Sequence, residues 1–156
     1  MNINSMSNIS YKIKEYRESL PKDICLIAVS KTKPNEDILE AYHAGQRIFG
    51  ENKIQEMTDK HEALPKDIEW HMIGHVQTNK VKYMAPYVSL VHAVHKMKLL
   101  KEIEKRAKEE NRVIECLLQI KIAEEDSKYG MEADEALKIL NSDAYQQMEH
   151  VKIVGL

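Results

Sequence analysis

Four short polar clusters punctuate the chain, each just after a run of apolar residues. They are Lys31, Thr32 and Lys33 after CLIAVS; Glu51, Asn52 and Gln55 after RIFG; His75, Gln77, Asn79 and Lys80 after WHMIG; and Glu124, Glu125, Asp126, Ser127 and Lys128 after LLQIKI. Lys31 carries the most distinctive chemistry. The apolar run before it delivers its amine to the end of a strand with Lys33 nearby, and partial desolvation beside a like charge favours the neutral amine. A neutral amine attacks an aldehyde to form a Schiff base, so Lys31 is a candidate covalent anchor for a carbonyl ligand. Position alone also fits an ordinary surface lysine. The Asn52 and Gln55 amides could hydrogen-bond a ring hydroxyl or carbonyl of a ligand, while Asn52 equally suits a helix N-cap. His71, His75, His92 and His95 make a weak metal signal: there is no HxH, and His92 and His95 fall on opposite faces of a single strand. No GxSxG elbow is present and Ser127 has no legible triad, so no catalytic residue is assigned.

The elements that must position these groups alternate. CLIAVS, RIFG, EWHMIG, VSLVHAV, RVIECLLQIKI and VKIVGL are nearly continuous apolar runs rich in Val and Ile, the pattern of parallel strands covered on both faces. Between them lie amphipathic, charged stretches. A helix is predicted from Ser7 to Leu20; in PNEDILEAYHAG, Asn35 can cap and Gly45 can take the left-handed position after the end. KMKLLKEIEKRAKEEN and MEADEALKILNSDAYQQM each read as one helix. Repeated βα units allow an open doubly wound sheet or an interrupted (β/α)8 barrel. Length favours the open sheet, since a full barrel takes about 250 residues. The absence of GxGxxG and GxxxxGK[ST] loops argues against the usual nucleotide folds.

Composition narrows the function classes. With 23 Lys+Arg against 25 Asp+Glu in 156 residues, the net charge of -2 is not that of a dedicated nucleic-acid binder. No apolar run suggests a membrane span and the N-terminus lacks a signal-peptide pattern, so a cytoplasmic protein is expected. Cys25 and Cys116 stand far apart within apolar runs, and buried reduced thiols are expected for both.

Four motifs, AVSKTKP from Ala28, FGENKIQE from Phe49, WHMIGHVQTNK from Trp70 and LLQIKIAEEDSKYG from Leu117, occur in an order and at loop positions that closely resemble the pyridoxal phosphate homeostasis proteins. This is the YggS/PROSC type, related in fold to the N-terminal barrel of alanine racemase. The resemblance covers most of residues 25 to 156. It implies a parallel (β/α)8 TIM-type barrel of PLP fold type III, about six βα units of it in this chain, with residues 1–156 forming one domain. It also implies pyridoxal 5′-phosphate held as a Schiff base on Lys31, with Asn52 and the backbone around Ile73 and Gly74 near the cofactor.

The role so implied is to buffer the cofactor and pass it on, with PLP-dependent apoenzymes as partners and no established turnover. A racemase-like amino-acid enzyme, in which Lys31 also acts as base, is the runner-up. No second base is legible; in alanine racemases an additional domain supplies a tyrosine. A partner-binding remnant without cofactor is the third reading. Two departures from the family pattern stand out. Ala93 and His95 in VHAVHK replace a Ser or Thr and then an Asp, and the chain stops at VKIVGL, where the family continues into the loops for the cofactor phosphate. A barrel truncated after its sixth strand is therefore expected, with open edges that favour marginal stability or self-association.

Overall fold

The computed structural model describes residues 8–122 and 129–156. Within them six strands form one sheet: β1 (Ala28–Val29), β2 (Ile48–Glu51), β3 (Glu69–Met72), β4 (Leu90–Val94), β5 (Ile114–Leu118) and β6 (Val151–Gly155). Every neighbouring pair is parallel and the spatial order is the sequence order, β1-β2-β3-β4-β5-β6. This is the arrangement of consecutive βα units in a parallel barrel. Here β1 and β6 are the outer strands of the sheet and do not pair with each other.

The helices are α1 (Asn8–Ser19), α2 (Asn35–His43), α3 (Ile54–Ala63), α4 (Val81–Met84), α5 (Met97–Glu109), α6 (Ala133–Leu140) and α7 (Asp143–Gln146), with a 3-10 turn at Thr78–Lys80. On α5, Leu99, Leu100, Ile103 and Ala107 recur at helical spacing and are fully buried. That stripe is what holds the helix on the sheet, since burying each large aliphatic side chain contributes about 1.5–3 kcal/mol. Strand alternation sorts the rest. Phe49, Trp70, Met72, Val91, Cys116 and Leu118 share the helix-covered face and are buried, whereas Val29 (53% exposed) and Val154 (43% exposed) lie on the other face, the one a barrel turns inward.

Several expectations need correction. Asn35 does not cap α2: it is the first helical residue, Pro34 precedes it as N-cap, and no side-chain cap bond forms. Gly45 does take the left-handed conformation, with φ +100°. MEADEALKILNSDAYQQM is two helices: α6 ends at its C-cap Asn141, and Ser142 caps α7 by accepting from the Tyr145 amide at 3.2 Å. Both cysteines are free thiols, but only Cys116 is buried; Cys25 is exposed, because the ladder begins at Ala28. Ahead of that ladder the Gln46 amide substitutes for a strand. Its Nε2 donates to the carbonyl of Leu26 at 2.8 Å and to that of Ile48 at 2.6 Å, joining the approach to β1 to the start of β2.

Gln46→Leu keeps the bulk and removes both donors, so it is expected to lower stability by about 1–3 kcal/mol. Chemical denaturation checks this, with an unchanged slope showing that the loss is one of stability and not of cooperativity.

Candidate functional site

The sequence-predicted site residues follow directly after the neighbouring strands β1, β2 and β3. Val29 is paired with Gly50, and the Ser30 amide continues the ladder by donating to the Gly50 carbonyl at 3.0 Å; Lys31 follows in the turn that the Lys33 amide closes onto the Ser30 carbonyl at 3.0 Å. On the other side Glu51 pairs with Met72 and the Ile73 amide donates to the Glu51 carbonyl at 2.9 Å, which places Ile73 opposite Asn52. Gly74 follows directly. A Cβ at Gly74 would lie 2.3 Å from the Asn52 carbonyl oxygen and 2.7 Å from its Cα, so only glycine lets the two strand ends approach this closely.

Lys31 itself is exposed and makes no hydrogen bond or ion pair among the described residues. Lys33 turns elsewhere, lining a recess with Asp37, Ile9 and Ile13 beside α1 and α2. Asn52 is not an N-cap: α3 opens at Lys53 without a side-chain cap. Asn52 instead lines a recess of about 270 Å³ with Lys53, Gln55, His75, Gln77 and Lys80. Gln55 also donates to Asp59 at 2.8 Å on the surface of α3. The cluster Glu124, Glu125, Asp126, Ser127 and Lys128 lies outside the described residues.

Behind these strand ends, on the helix side of the sheet, sits a polar cluster that the sequence reading did not assemble. Lys60, on α3, is buried, and its ammonium donates to the Ser30 carbonyl at 2.7 Å, Glu51 Oε1 at 2.6 Å and Glu56 Oε1 at 2.7 Å. Three N–H bonds thus meet three acceptors. The Ser30 hydroxyl donates to Glu51 Oε1 at 2.6 Å, and the Thr32 amide donates to Glu56 Oε1 at 2.6 Å. Thr32 has φ +62°, a left-handed conformation that is uncommon for a β-branched residue. The hydrogen bond from Lys60 is the largest influence holding the Glu56 carboxyl below its ordinary value; burial opposes it and the Thr32 amide adds to it.

The four histidines form two pairs instead of one metal site. His71 Nδ1 and His92 Nε2 are 3.1 Å apart on the uncovered face of the sheet, and burial, with a smaller contribution from His92, pushes His71 down to about 4. His75 faces His95 and Tyr129 at the strand ends, with ring centroids 5.0 and 4.1 Å away, and burial lowers it. No group of three or more His, Cys, Asp or Glu suited to a metal occurs among the described residues. No helix among them is long and apolar enough to cross a membrane.

The six parallel strands thus run in sequential order, with Lys31 just past the first and Gly74 packed against the Asn52 backbone past the third and second. The family described as alanine racemase, N-terminal domain, matches residues 5–156. The pyridoxal phosphate homeostasis protein of Escherichia coli is 32% identical, over 97% of this chain and 70% of its own length. That of Aquifex aeolicus is 39% identical over 84% of this chain and 57% of its own. PipY of Synechococcus elongatus, solved without PLP, is 34% identical with a TM-score of 0.87, covering 96% of this chain and 69% of that one. A second structure of PipY has PLP bound and a TM-score of 0.86. Alanine racemase from Enterococcus faecalis, at 17% identity and a TM-score of 0.72, shares the fold. The chain therefore belongs to the alanine racemase N-terminal domain family and, within it, to the pyridoxal phosphate homeostasis proteins. It spans 57% to 64% of the length of the first four curated relatives it matches.

Lys60→Met is expected to cost about 3–5 kcal/mol in a denaturation experiment, because it leaves the buried Glu51 carboxylate without its cation. The Glu56 carboxyl is depressed in the folded state, so its contribution to stability is fully present above the ordinary glutamate value of 4.5 and is lost as pH falls through the lower folded value. Unfolding midpoints followed from neutrality to about pH 3 should fall more steeply for the parent chain than for Glu56→Gln.

Proposed function

We propose that this chain binds pyridoxal 5′-phosphate at a site formed by Lys31, Asn52, Ile73 and Gly74, and that its role is to hold and release the cofactor. The observation that carries the proposal is the exposed Lys31 just past the end of β1, without a hydrogen bond or ion pair among the described residues, in a chain whose relative PipY was solved with PLP bound. The donor set fits the group. Lys31 offers a solvent-exposed primary amine after β1, and after β2 and β3 the Asn52 amide lines a recess with the cations Lys53 and Lys80. Bound there, pyridoxal 5′-phosphate would supply an aldehyde, the group with which a primary amine condenses.

Each of these residues then has a distinct task. Lys31 would provide the amine, and its exposure leaves that amine open to solvent. Asn52 orients the ring by hydrogen bonding. Ile73 offers an apolar wall, and Gly74 holds the Asn52 backbone in register by leaving no room for movement between the strand ends. The proposal extends to a cytoplasmic setting and to PLP-dependent apoenzymes as recipients. It is supported by the free thiols of Cys25 and Cys116 and by relatives named for pyridoxal phosphate homeostasis. A carrier needs no turnover, and the proposed role is non-catalytic.

The test is an absorbance spectrum of the chain with added pyridoxal phosphate, followed by borohydride reduction and peptide mass mapping, with Lys31→Ala alongside. A visible band and a reduced adduct on Lys31, both absent from the variant, are the expected result. Adducts scattered over surface lysines, or a signal unchanged in Lys31→Ala, would overturn it.

A further inference from the structure

The geometry points to Lys60 as a positioning residue for Lys31, acting with Glu56 through the two residues that flank the reactive amine. This inference rests on the binding role of Lys31 given above. Lys31 sits between Ser30 and Thr32, and both neighbours are held by the same cluster. The Ser30 carbonyl accepts from Lys60 at 2.7 Å, and the Thr32 amide donates to Glu56 Oε1 at 2.6 Å, the oxygen that Lys60 also engages at 2.7 Å. The turn that carries Lys31 is thus gripped before and after it from one buried ammonium.

Two further observations point the same way. Thr32 is left-handed at φ +62°, and a β-branched residue stays there only where its surroundings over-determine the conformation. The Glu56 carboxylate does so by accepting the Thr32 N–H. In addition, all three Lys60 donors are used, so Lys60 is neither a spare nucleophile nor a free base, and its charge serves the geometry of the turn. Fixing the turn in advance removes the ordering cost that a mobile loop would incur when Lys31 captures a ligand.

The clamp is tested on the full chain with Glu56→Ala, Glu56→Gln and Lys60→Met, using pyridoxal phosphate as the probe. Two quantities are read on the folded fraction: the concentration giving half-modification of Lys31 after borohydride reduction, and the exchange rate of the Thr32 amide. Glu56→Ala should raise the half-modification concentration by about tenfold, the scale of one side chain's ordering cost, and accelerate Thr32 exchange. Glu56→Gln should lie between it and the parent, because its amide oxygen still accepts from Thr32. Lys60→Met should match or exceed Glu56→Ala. Glu56 is partly exposed, so its variants decide the question even where Lys60→Met does not fold.

A purely structural role would lower unfolding midpoints and leave Lys31 modification of folded protein at the parent value. That outcome, in a parent chain that does modify Lys31, overturns the positioning role alone. A parent chain in which Lys31 is not selectively modified overturns the binding role and this inference together.

Discussion

Taking an ammonium out of water is costly, and the fold offsets that cost at Lys60 by giving each of its N–H bonds an oxygen: one from the backbone of β1's end, one from β2 and one from its own helix. Because those oxygens belong to separate elements, satisfying the charge fixes where α3 lies against the first two strands. The helix cannot slide without leaving Glu51 or Lys60 buried and unpaired. Apolar packing alone would tolerate small shifts of α3. Hydrogen bonds to a buried charge do not, since their strength falls steeply with distance and angle.

The same arrangement divides labour between the faces of the sheet. Outward, toward the helices, the strand ends carry Ser30 and Glu51, which build the fold. Beyond them, Lys31 is unpaired among the described residues, and the Asn52 side chain lines a recess in place of capping a helix. The missing side chain at Gly74 sets the spacing past the ends of β2 and β3, as any substituent would collide with backbone and not with a side chain able to move aside.

Much of this was legible in the sequence. Strand positions followed from Val- and Ile-rich runs, and α5 from its three- and four-residue periodicity, because those signals are local. The grouping of Lys31, Asn52, Ile73 and Gly74 came from the resemblance of four motifs; of these, the close approach of Gly74 to the Asn52 backbone is seen in the structure. What sequence could not supply was the depth of Lys60. A lysine four residues after a glutamate reads as a solvated surface pair, and only the tertiary approach of Ser30 and Glu51 turns it inward. Asn35 and Asn52 mislead for the opposite reason. Both residues favour caps by propensity, but Pro34 and Lys53 hold those positions, and neither cap bond forms. Ser142 was hidden within a stretch whose overall periodicity suggested one helix.

The unequal placement of the two thiols has a practical chemical consequence. Cys116 is fully buried and burial pushes its thiol up to about 12, so at neutral pH it remains protonated and out of reach of solvent-borne reagents. Cys25 is exposed and lies ahead of β1, with Lys31 past its other end; six residue steps separate them, a reach of at most about 20 Å if fully extended. A thiol-directed fluorophore would therefore attach at one position without mutagenesis, well away from the strand ends, where it could report on events at the far end of the sheet without blocking them.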